Sequence, residues 1–333
     1  MFDGIVSFLN RHNSFILTTH DSPDADGLGA ELVFAHILKQ AGKRVKIINA
    51  SYVSEHLKFL TEGQEIKKWN YEEHTPLLRE SALLILDTSD EFHLGAGREA
   101  IKKAKEVFVI DHHDLKPISK LSGFVDSSAS STSELSIEYA CFTGVELDPV
   151  TATAAYAGIV LDSGFFAYPK TSIRTFKTAM KTLEWGAAPN QIYKQLMENS
   201  SCASLLLQKQ ALSSLKFYIG RLVAVMILRL EDFDEAGAVY SDVENIVNIP
   251  LKAKEVEAAV LIKEKEQGEV YCSLRSKGTL NVSKIAQNFR GGGHITAAGF
   301  MSSLGVDKTL EKLLSCLESS LEAKLLTGVE GRL

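Results

Sequence analysis

The sequence predicts an α/β protein in which an N-terminal domain with a mostly parallel sheet precedes a smaller C-terminal α/β domain, with a cleft between them. Three observations lead to this prediction. The chain of 333 residues is long enough for two domains. Short apolar runs alternate with helical patterns in the first half, and β-like segments return late in the chain. We expect a catalytic domain over 1–190, a helical connector over 191–215 and a substrate-binding domain over 216–333.

In the first half, the strongest element signals are apolar runs and helix caps. Ser131 followed by Glu134 is a capping box that begins a helix. Asp148-Pro149 begins the next helix, with Asp as N-cap and Pro at the first helical position. Strands are predicted at 15–17, 45–48, 82–86 and 107–110, and helices at 27–40, 131–139 and 148–161. A short amphipathic helix is also expected within the first 15 residues.

The second half begins with a helical pattern over 171–215 and then changes character. Three later segments have a β-like pattern and predict strands. A Glu-Gln-Gly-Glu turn at 266–269 leads into the last of them. These strands are predicted at 222–230, 258–263 and 270–275.

The composition narrows the class of partner. The net charge of −6 disfavours a grip on long duplex DNA, which requires a basic surface. No apolar run reaches the roughly 18 residues of a membrane span, and the first residues lack a signal-peptide pattern. The four widely spaced cysteines are interpreted as buried thiols of a reducing compartment. We therefore expect a cytoplasmic protein that acts on small anionic substrates.

Acidic and imidazole side chains follow four of the predicted strands and helices. Because the carboxyl ends of parallel strands share one edge of a sheet, these side chains are expected to converge on one crevice. A single Asp after a strand is more often a turn former or a helix cap, and Asp24 and Asp26 could cap the helix that follows them. The joint pattern is the informative feature. It comprises His20, Asp24, Asp26, Asp87, Asp111, His112, His113 and Asp162.

So many carboxylates in one crevice repel one another unless cations neutralise them, so the pattern predicts a metal site. Carboxylates and imidazoles without thiolates suit Mn²⁺, with Mg²⁺ and Co²⁺ as alternatives. His20, Asp24 and Asp26 do not all face one ion easily because Pro23 and a turn separate them. Two ions about 3.5–4 Å apart would share them and clamp the reacting oxygens of a phosphoryl displacement.

A second candidate site is the glycine-rich turn at residues 290–294. Three consecutive glycines allow backbone N–H groups to approach an anion, and we expect a helix after the turn to offer its positive end. The alternative interpretation is that the glycines only allow the backbone to form a tight turn. The predicted phosphate or nucleotide clamp comprises Arg275, Gly291, Gly292, Gly293 and His294.

These segments together resemble the DHH phosphoesterase family with its C-terminal DHH-associated domain, in particular its oligoribonuclease and 3′-phosphoadenosine 5′-phosphate (pAp) phosphatase branch. His20, Asp24 and Asp26 match the first motif, and Asp87 matches the second. Asp111-His112-His113 match the third motif and Asp162 the fourth. The glycine-rich GGGH and the AAG at 297–299 match the C-terminal motif.

The resemblance implies a role for each residue. His20 and Asp24 would bind one Mn²⁺, while Asp26, His112 and Asp162 would bind the other, and Asp87 would bridge them. His113 would contact the scissile phosphate or assist the leaving group, and Asp111 would orient the histidines. The C-terminal clamp would hold the far phosphate or base of the substrate.

The predicted activity is Mn²⁺-dependent hydrolysis of short single-stranded RNA or DNA oligonucleotides and dinucleotides to 5′-mononucleotides, with pAp as a further substrate. A cyclic di-AMP phosphodiesterase shares every expected ligand and remains an alternative. Outside enzymes, the alternative is a metal-dependent nucleotide sensor. The sequence does not fix the oligomeric state; we consider a homodimer, since enzymes of this size are often dimers.

Overall fold

The structure is a computed structural model, and it divides the chain into two compact units, Met1–Asn199 and Ser200–Leu333. The boundary between the units falls within the predicted connector, 191–215. None of the helices described is long and apolar enough to cross a membrane. The residues that the structure describes are 1–113, 121–243, 246–265, 268–293 and 295–327.

The first unit contains a sheet whose six described strands are all parallel, as predicted. The strand order is β3-β2-β1-β4-β5-β6, so the direction of winding reverses between β1 and β4. The strands are β1 (Ser14–Thr18), β2 (Arg44–Asn49), β3 (Ile66–Lys68), β4 (Ala82–Leu86), β5 (Val107–Asp111) and β6 (Ser122–Val125).

Helices cover both faces of this sheet, because the central strands are apolar on both sides. Phe15, Leu17 and Leu84 belong to the larger core, and Ile16 and Leu83 to the smaller core opposite. The helices are α1 (Asp3–Arg11), α2 (Ala25–Gln40), α3 (Tyr71–Leu78), α4 (Arg98–Ile101), α5 (Thr132–Thr143), α6 (Pro149–Asp162), α7 (Ile173–Glu184) and α8 (Pro189–Met197), with 3₁₀ segments at Glu55–Thr61 and Glu91–Gly97.

Helices α2 and α6 pack closely because each has a glycine at the contact. A Cβ atom on Gly29 would lie 2.8 Å from the carbonyl oxygen of Ala154, and one on Gly158 would lie 2.9 Å from that of Ala25. A side chain at either position would push the helices apart. This packing brings the end of α6 beside the start of α2, where three of the predicted ligands lie.

The second unit contains a mixed sheet in the order β11-β12-β10-β9-β8-β7. Strands β8 and β9 are parallel, and the other described pairs are antiparallel. The strands are β7 (Lys216–Tyr218), β8 (Val223–Leu228), β9 (Ala258–Glu264), β10 (Val270–Ser276), β11 (Gly292–Gly293) and β12 (Ala297–Ser302). The helices are α9 (Cys202–Ser213), α10 (Leu230–Ala236), α11 (Val282–Gln287) and α12 (Gly305–Thr327), with 3₁₀ segments at Tyr240–Val243 and Ile246–Lys252.

The structure confirms the predicted α/β class and the two predicted caps: Ser131 accepts from the backbone N–H of Glu134, and Asp148 caps α6 with Pro149 at its start. Three expectations need correction. The edge strands β3 and β6 were not predicted, and the segment after the glycine-rich turn is strand β12 rather than a helix. Two of the four cysteines, Cys141 and Cys202, are exposed. Residues 266–267 of the predicted turn lie outside the described residues.

Candidate metal centre

The predicted acidic and imidazole side chains meet at one edge of the sheet of the first unit. In open α/β sheets, ligands bind at this edge where the strand order reverses, here between β1 and β4. The loops after these two strands and after β5, together with the end of α6, form the cluster. The residues brought together are His20, Asp24, Asp26, Asp87, Asp111, His112, His113 and Asp162.

One group of candidate ligands consists of His20, Asp24 and Asp87. Nε2 of His20 lies 3.5 Å from Oδ2 of Asp24 and 3.6 Å from Oδ2 of Asp87. Asp24 is also the N-cap of α2, since one of its oxygens accepts from the backbone N–H groups of Asp26 and Gly27 at 3.0 Å. The cap leaves the other oxygen, Oδ2, to face His20. The interpretation as a helix cap and the interpretation as a ligand are therefore both compatible with the structure.

A second group consists of Asp26, His112 and Asp162. Nε2 of His112 lies 3.2 Å from Oδ2 of Asp162 and 3.8 Å from Oδ2 of Asp26. In each group one candidate ligand atom per residue lies within 4.8 Å of the others. Ligands about 2.1 Å from one ion are separated by up to about 4.2 Å, so small side-chain adjustments would complete either shell.

Asp87 lies between the two groups and presents a different oxygen to each. Its Oδ2 faces His20 at 3.6 Å, and its Oδ1 lies 3.5 Å from Nε2 of His112. The residue has a φ of 64°, in the left-handed region, which Asp adopts more readily than most side chains. Its backbone N–H donates to Ile110 of the neighbouring strand β5 at 2.9 Å. This strained turn holds the carboxylate in the position expected of a bridge.

His112 shows most clearly that these residues fit a metal ion. Its Nδ1 lies 3.4 Å from the carbonyl oxygen of Ala129, which selects the tautomer with the proton on Nδ1. Nε2 is buried and has no hydrogen-bond partner in the described part of the chain. Its lone pair therefore faces the carboxylate groups of Asp26, Asp87 and Asp162, which in their ionised form offer it no hydrogen. A buried imidazole lone pair among carboxylates is costly by itself and suits a cation.

The electrostatics of the cluster also favour a cation. Burial, together with the nearby charge of Asp26, holds the pKa of Asp87 well above its usual range. Burial and the charges of Asp26 and Asp24 raise the pKa of Asp162 to about 8. Burial lowers the pKa of His112. Burial also opposes the charge of His20, but hydrogen bonds to Asp24 and Asp87 outweigh it and raise its pKa to about 10.

His113 and Asp111 form a pair beside the cluster. Nδ1 of His113 donates to Oδ1 of Asp111 at 2.7 Å. Burial opposes the charge of Asp111, but this bond lowers the pKa of Asp111 to about 2, and it raises the pKa of His113. The side chain of His113 is 45% exposed, so it is open to a substrate. His113 also lies close enough to Asp87 and His112 to complete a third candidate ligand group.

Helix α5 holds two of the candidate ligands, and the sequence analysis did not foresee this. The backbone N–H groups of Thr132 and Ser133 donate to the two carboxylate oxygens of Asp26, each at 2.7 Å. The hydroxyl of Thr132 donates to Oδ1 of Asp87 at 2.9 Å. The available sequence signal was the run of five polar residues at 130–134, all of which are buried. Such a run requires internal partners.

Asn49 and Glu31 support the loop after β1 in a similar way. Oδ1 of Asn49 accepts from the backbone N–H of Thr19 at 3.2 Å, next to His20. The amide of Asn49 donates to Glu31 at 3.0 Å. Glu31 is fully buried, and burial raises its pKa to about 8. Neither residue follows a strand in the pattern that identified the ligands, so the sequence analysis missed both.

The predicted clamp lies in the second unit, and the structure describes four of its five residues. Arg275 lies on β10, half-buried, and its Nη1 donates to the carbonyl oxygen of Leu274. The tight β11–β12 hairpin requires glycine: a Cβ atom on Gly291 would lie 2.3 Å from the carbonyl oxygen of Gly299, and one on Gly293 2.5 Å from that of Ala297. Gly292 is exposed, and a Cβ atom there would meet nothing. His294 lies outside the described residues.

Each of the two units of this chain contains a segment that matches a known domain family. The N-terminal domain of the DHH family matches residues 14–159, and the DHHA1 domain matches residues 220–323. A bifunctional oligoribonuclease and PAP phosphatase, NrnA, from Thermus thermophilus is 27% identical over 92% of this chain and 89% of its own length. The cyclic-di-AMP phosphodiesterase GdpP from Bacillus subtilis is 26% identical over 96% of this chain, but this match spans only 49% of GdpP.

A solved structure agrees with these similarities. The crystal structure of an exopolyphosphatase-related protein from Bacteroides fragilis superposes with a TM-score of 0.86 and 26% identity. The match covers 98% of this chain and 96% of that one. The matched domains and the cluster of acidic and imidazole side chains place this chain in the DHH family of metal-dependent phosphoesterases, with an N-terminal DHH domain and a C-terminal DHHA1 domain.

Proposed function

We propose that this chain uses two divalent cations, with Mn²⁺ as the preferred ion, to hydrolyse short single-stranded oligonucleotides and dinucleotides to 5′-mononucleotides. We include pAp as a further substrate. The position of Asp87 is the observation that carries the proposal, since its two oxygens face His20 at 3.6 Å and His112 at 3.5 Å. A carboxylate shared in this way suits a pair of ions better than a single ion. The relatives named oligoribonuclease and PAP phosphatase support this choice of substrate.

The two groups of candidate ligands would each hold one ion. His20 and Asp24 would hold the first, Asp26, His112 and Asp162 the second, and Asp87 would bridge. When bound, the ions lower the pKa of the attacking water and stabilise the charge that develops on the phosphoryl oxygens. The hydrogen bonds from α5 would keep two of these carboxylates in place, so that little reorganisation is needed.

His113 is the residue best placed to act on the substrate directly. The hydrogen bond to Asp111 raises the pKa of His113, which favours its imidazolium form, and fixes the ring through Nδ1. Nε2 remains for the substrate. We propose that His113 donates a hydrogen bond to the scissile phosphate and then a proton to the leaving oxygen.

In the second unit, Arg275 and the hairpin glycines Gly291, Gly292 and Gly293 would bind a phosphate or base of the same substrate, with His294 beside them. A guanidinium group and the backbone N–H groups of a glycine-rich turn both recognise phosphate oxygens. The acidic overall charge of the chain, −6, favours short substrates held in a local site over long strands bound along a basic surface.

Cyclic di-AMP phosphodiesterase activity is the second candidate. The similarity to GdpP, which extends over 96% of this chain, favours it as a specific observation. The same metal ligands would serve either reaction, so only the substrate distinguishes the two functions.

The test is a release assay with Mn²⁺ on 5′-labelled RNAs of two to twenty nucleotides, pAp and cyclic di-AMP. Asp87→Asn should abolish release, whereas Asp307→Asn, at an exposed aspartate of α12, should not change it. Mononucleotide release that is fastest from the shortest RNAs would support the proposal. Cleavage of cyclic di-AMP alone would favour the second candidate, and no cleavage of any substrate would contradict both.

A further inference from the structure

Part of one face of the sheet in the second unit is uncovered. On this face, α9, α10 and the segment Ile246–Lys252 pack over Met226 and Leu228 of β8 and over Ala259 and Leu261 of β9. The next residue of β9 on the same face is Lys263, which lies directly across from Tyr271 of β10. Tyr271 in turn pairs with Met301 of β12, which is 49% exposed. The covering layer therefore ends close to Lys263.

Lys263 is an unusual residue for this position because it is only 9% exposed. Its Nζ lies 4.7 Å from the ring centroids of both Tyr240 and Tyr271. No carboxylate or carbonyl oxygen among the described residues accepts a hydrogen bond or forms an ion pair with Nζ. Buried lysines are rare unless they are paired. The two rings stabilise the charge in part, and the three N–H donors of Nζ have no oxygen acceptor among the described residues.

Further positive charge lies near this ammonium group. Burial lowers the pKa of Lys263, and the charges of Lys265 and Arg275 lower it further. Nζ of Lys265 lies 5.2 Å from the ring centroid of Tyr240, on which Lys263 also lies. Lys263 and Lys265 repel each other, and neither forms an ion pair with a carboxylate among the described residues, so a bound anion would stabilise both.

A cavity of about 670 Å³ adjoins this cluster. Its volume is in the range of small-molecule sites. Leu230, Phe233, Ala238 and Tyr240 form its apolar wall, and Lys265, Glu264 and Glu269 form its polar rim. The ring of Phe233 stacks on that of Tyr240, with centroids 5.8 Å apart and planes 10° apart. An apolar and aromatic wall next to ammonium groups suits a nucleobase attached to a phosphate.

We infer that Lys263 and Lys265, with Tyr240 and Tyr271, form a phosphate subsite for a nucleotide of an oligonucleotide, whose base enters the adjoining cavity. The inference rests on the proposed function, since it extends the same substrate beyond the clamp at Arg275. Arg275 and Tyr271 are four residues apart on β10, about 13 Å along the strand. A ligand of several nucleotides reaches both places, whereas a dinucleotide held at Arg275 does not.

The experiment measures equilibrium binding of a labelled pentaribonucleotide to the full chain with Mn²⁺, in an Asp87→Asn background that stops hydrolysis. We expect Lys263→Met to weaken binding by roughly tenfold or more, because a charged hydrogen bond to phosphate is lost. The slope of log K against log salt should fall by about 0.7. Lys265→Met, at a less buried position, should reduce the slope as well. Binding of a dinucleotide should be unchanged.

Lys216→Met is the matched control, since Lys216 is exposed on β7 at the far edge of the same sheet. If all three variants bind the pentamer with wild-type affinity and salt slope, or if Lys216→Met causes the same loss, the inference is wrong. It is also wrong if Lys263→Met weakens binding of inorganic phosphate but leaves binding of the pentamer unchanged. A structural Lys263 would lower the melting temperature when replaced, whereas the inference expects it to stay unchanged or to rise.

The outcomes separate this inference from the proposed function. Wild-type protein that cleaves short RNA, with pentamer binding unaffected by Lys263→Met or Lys265→Met, would contradict the subsite and leave the reaction intact. Wild-type protein that cleaves none of the substrates, with a salt slope that falls in both variants, would support the subsite and contradict the reaction.

Discussion

The hydroxyl of Thr132 provides a sharp test of how the candidate ligands are held. It donates to Oδ1 of Asp87 at 2.9 Å, and both side chains are buried. Thr132→Val removes this donor and keeps the shape of the side chain. The backbone N–H of residue 132 still donates to Asp26, so the variant isolates a single hydrogen bond. If Asp87 bridges two ions, this one bond affects both.

The magnitude follows from the chemistry of the bond. A hydrogen bond to a charged acceptor contributes about 1.5–3 kcal/mol, which corresponds to roughly 10- to 150-fold in an equilibrium constant. Loss of a partner that orients a metal ligand commonly costs about 10- to 100-fold in metal affinity. We therefore expect the Kd for Mn²⁺ to rise by roughly 10- to 100-fold in Thr132→Val. Thr132→Ser should recover most of the affinity, because it restores the hydroxyl.

Isothermal titration of the metal-free protein with Mn²⁺ measures this effect. The matched control is Thr182→Val in α7, where a fully buried hydroxyl donates to the carbonyl oxygen of Ala179 at 2.7 Å, outside the cluster. Its Kd for Mn²⁺ should match that of the wild type. A folded Thr132→Val protein with wild-type Mn²⁺ affinity would refute the reasoning, as would an equal loss in Thr182→Val.

Three further predictions concern stability. Burial raises the pKa of Glu31 to about 8 from 4.5, so the folded state keeps a proton that the unfolded chain loses between these values. The free energy of unfolding of the metal-free protein should therefore fall as pH rises through this window, by up to about 1.4 kcal/mol per pH unit. Urea unfolding at two pH values should show a smaller fall in Glu31→Gln than in the wild type. An equal fall in both proteins would contradict the assignment. Arg174→Gln leaves the buried Glu134, 3.2 Å from the guanidinium, without its cation, and should cost about 3–5 kcal/mol in the same assay. Lys102→Gln, which breaks an exposed ion pair, should cost less than about 1 kcal/mol, and equal losses would refute the distinction. Gly158→Ala places a Cβ atom 2.9 Å from a carbonyl oxygen of α2 and should cost about 1–3 kcal/mol; an unchanged melting temperature would show that α2 and α6 separate without cost.

The sequence alone was sufficient for features that depend on neighbouring residues or on the geometry common to parallel sheets. The caps at Ser131 and Asp148 are local, because each side chain accepts from backbone N–H groups within three residues. The ligand cluster was predictable because the carboxyl ends of parallel strands share one edge, whichever helices cover the sheet. An ordered set of Asp and His residues after successive strands was therefore enough to predict that these side chains lie together.

Weak local signals explain the elements that the sequence analysis missed. Strands β3 and β6 lie at the two edges of their sheet and have no buried residue, so they lack an apolar run. Residues 297–302 contain small apolar residues without a clear period, and their pairing with β10 makes them a strand. Propensity could not distinguish a helix from a strand there, because long-range pairing supplies the hydrogen bonds.

Only the tertiary structure decided how the candidate ligands are oriented and supported. Thr132 and Ser133 donate to Asp26, which is more than one hundred residues away in sequence. The placement of Asp87 between two groups depends on a left-handed turn and on its bond to Ile110. The isolation of Lys263 between two tyrosine rings arises where strands and a 3₁₀ segment pack together. Residue types and their order predict a candidate metal site, but the partners of a buried polar atom depend on which distant segments pack against it.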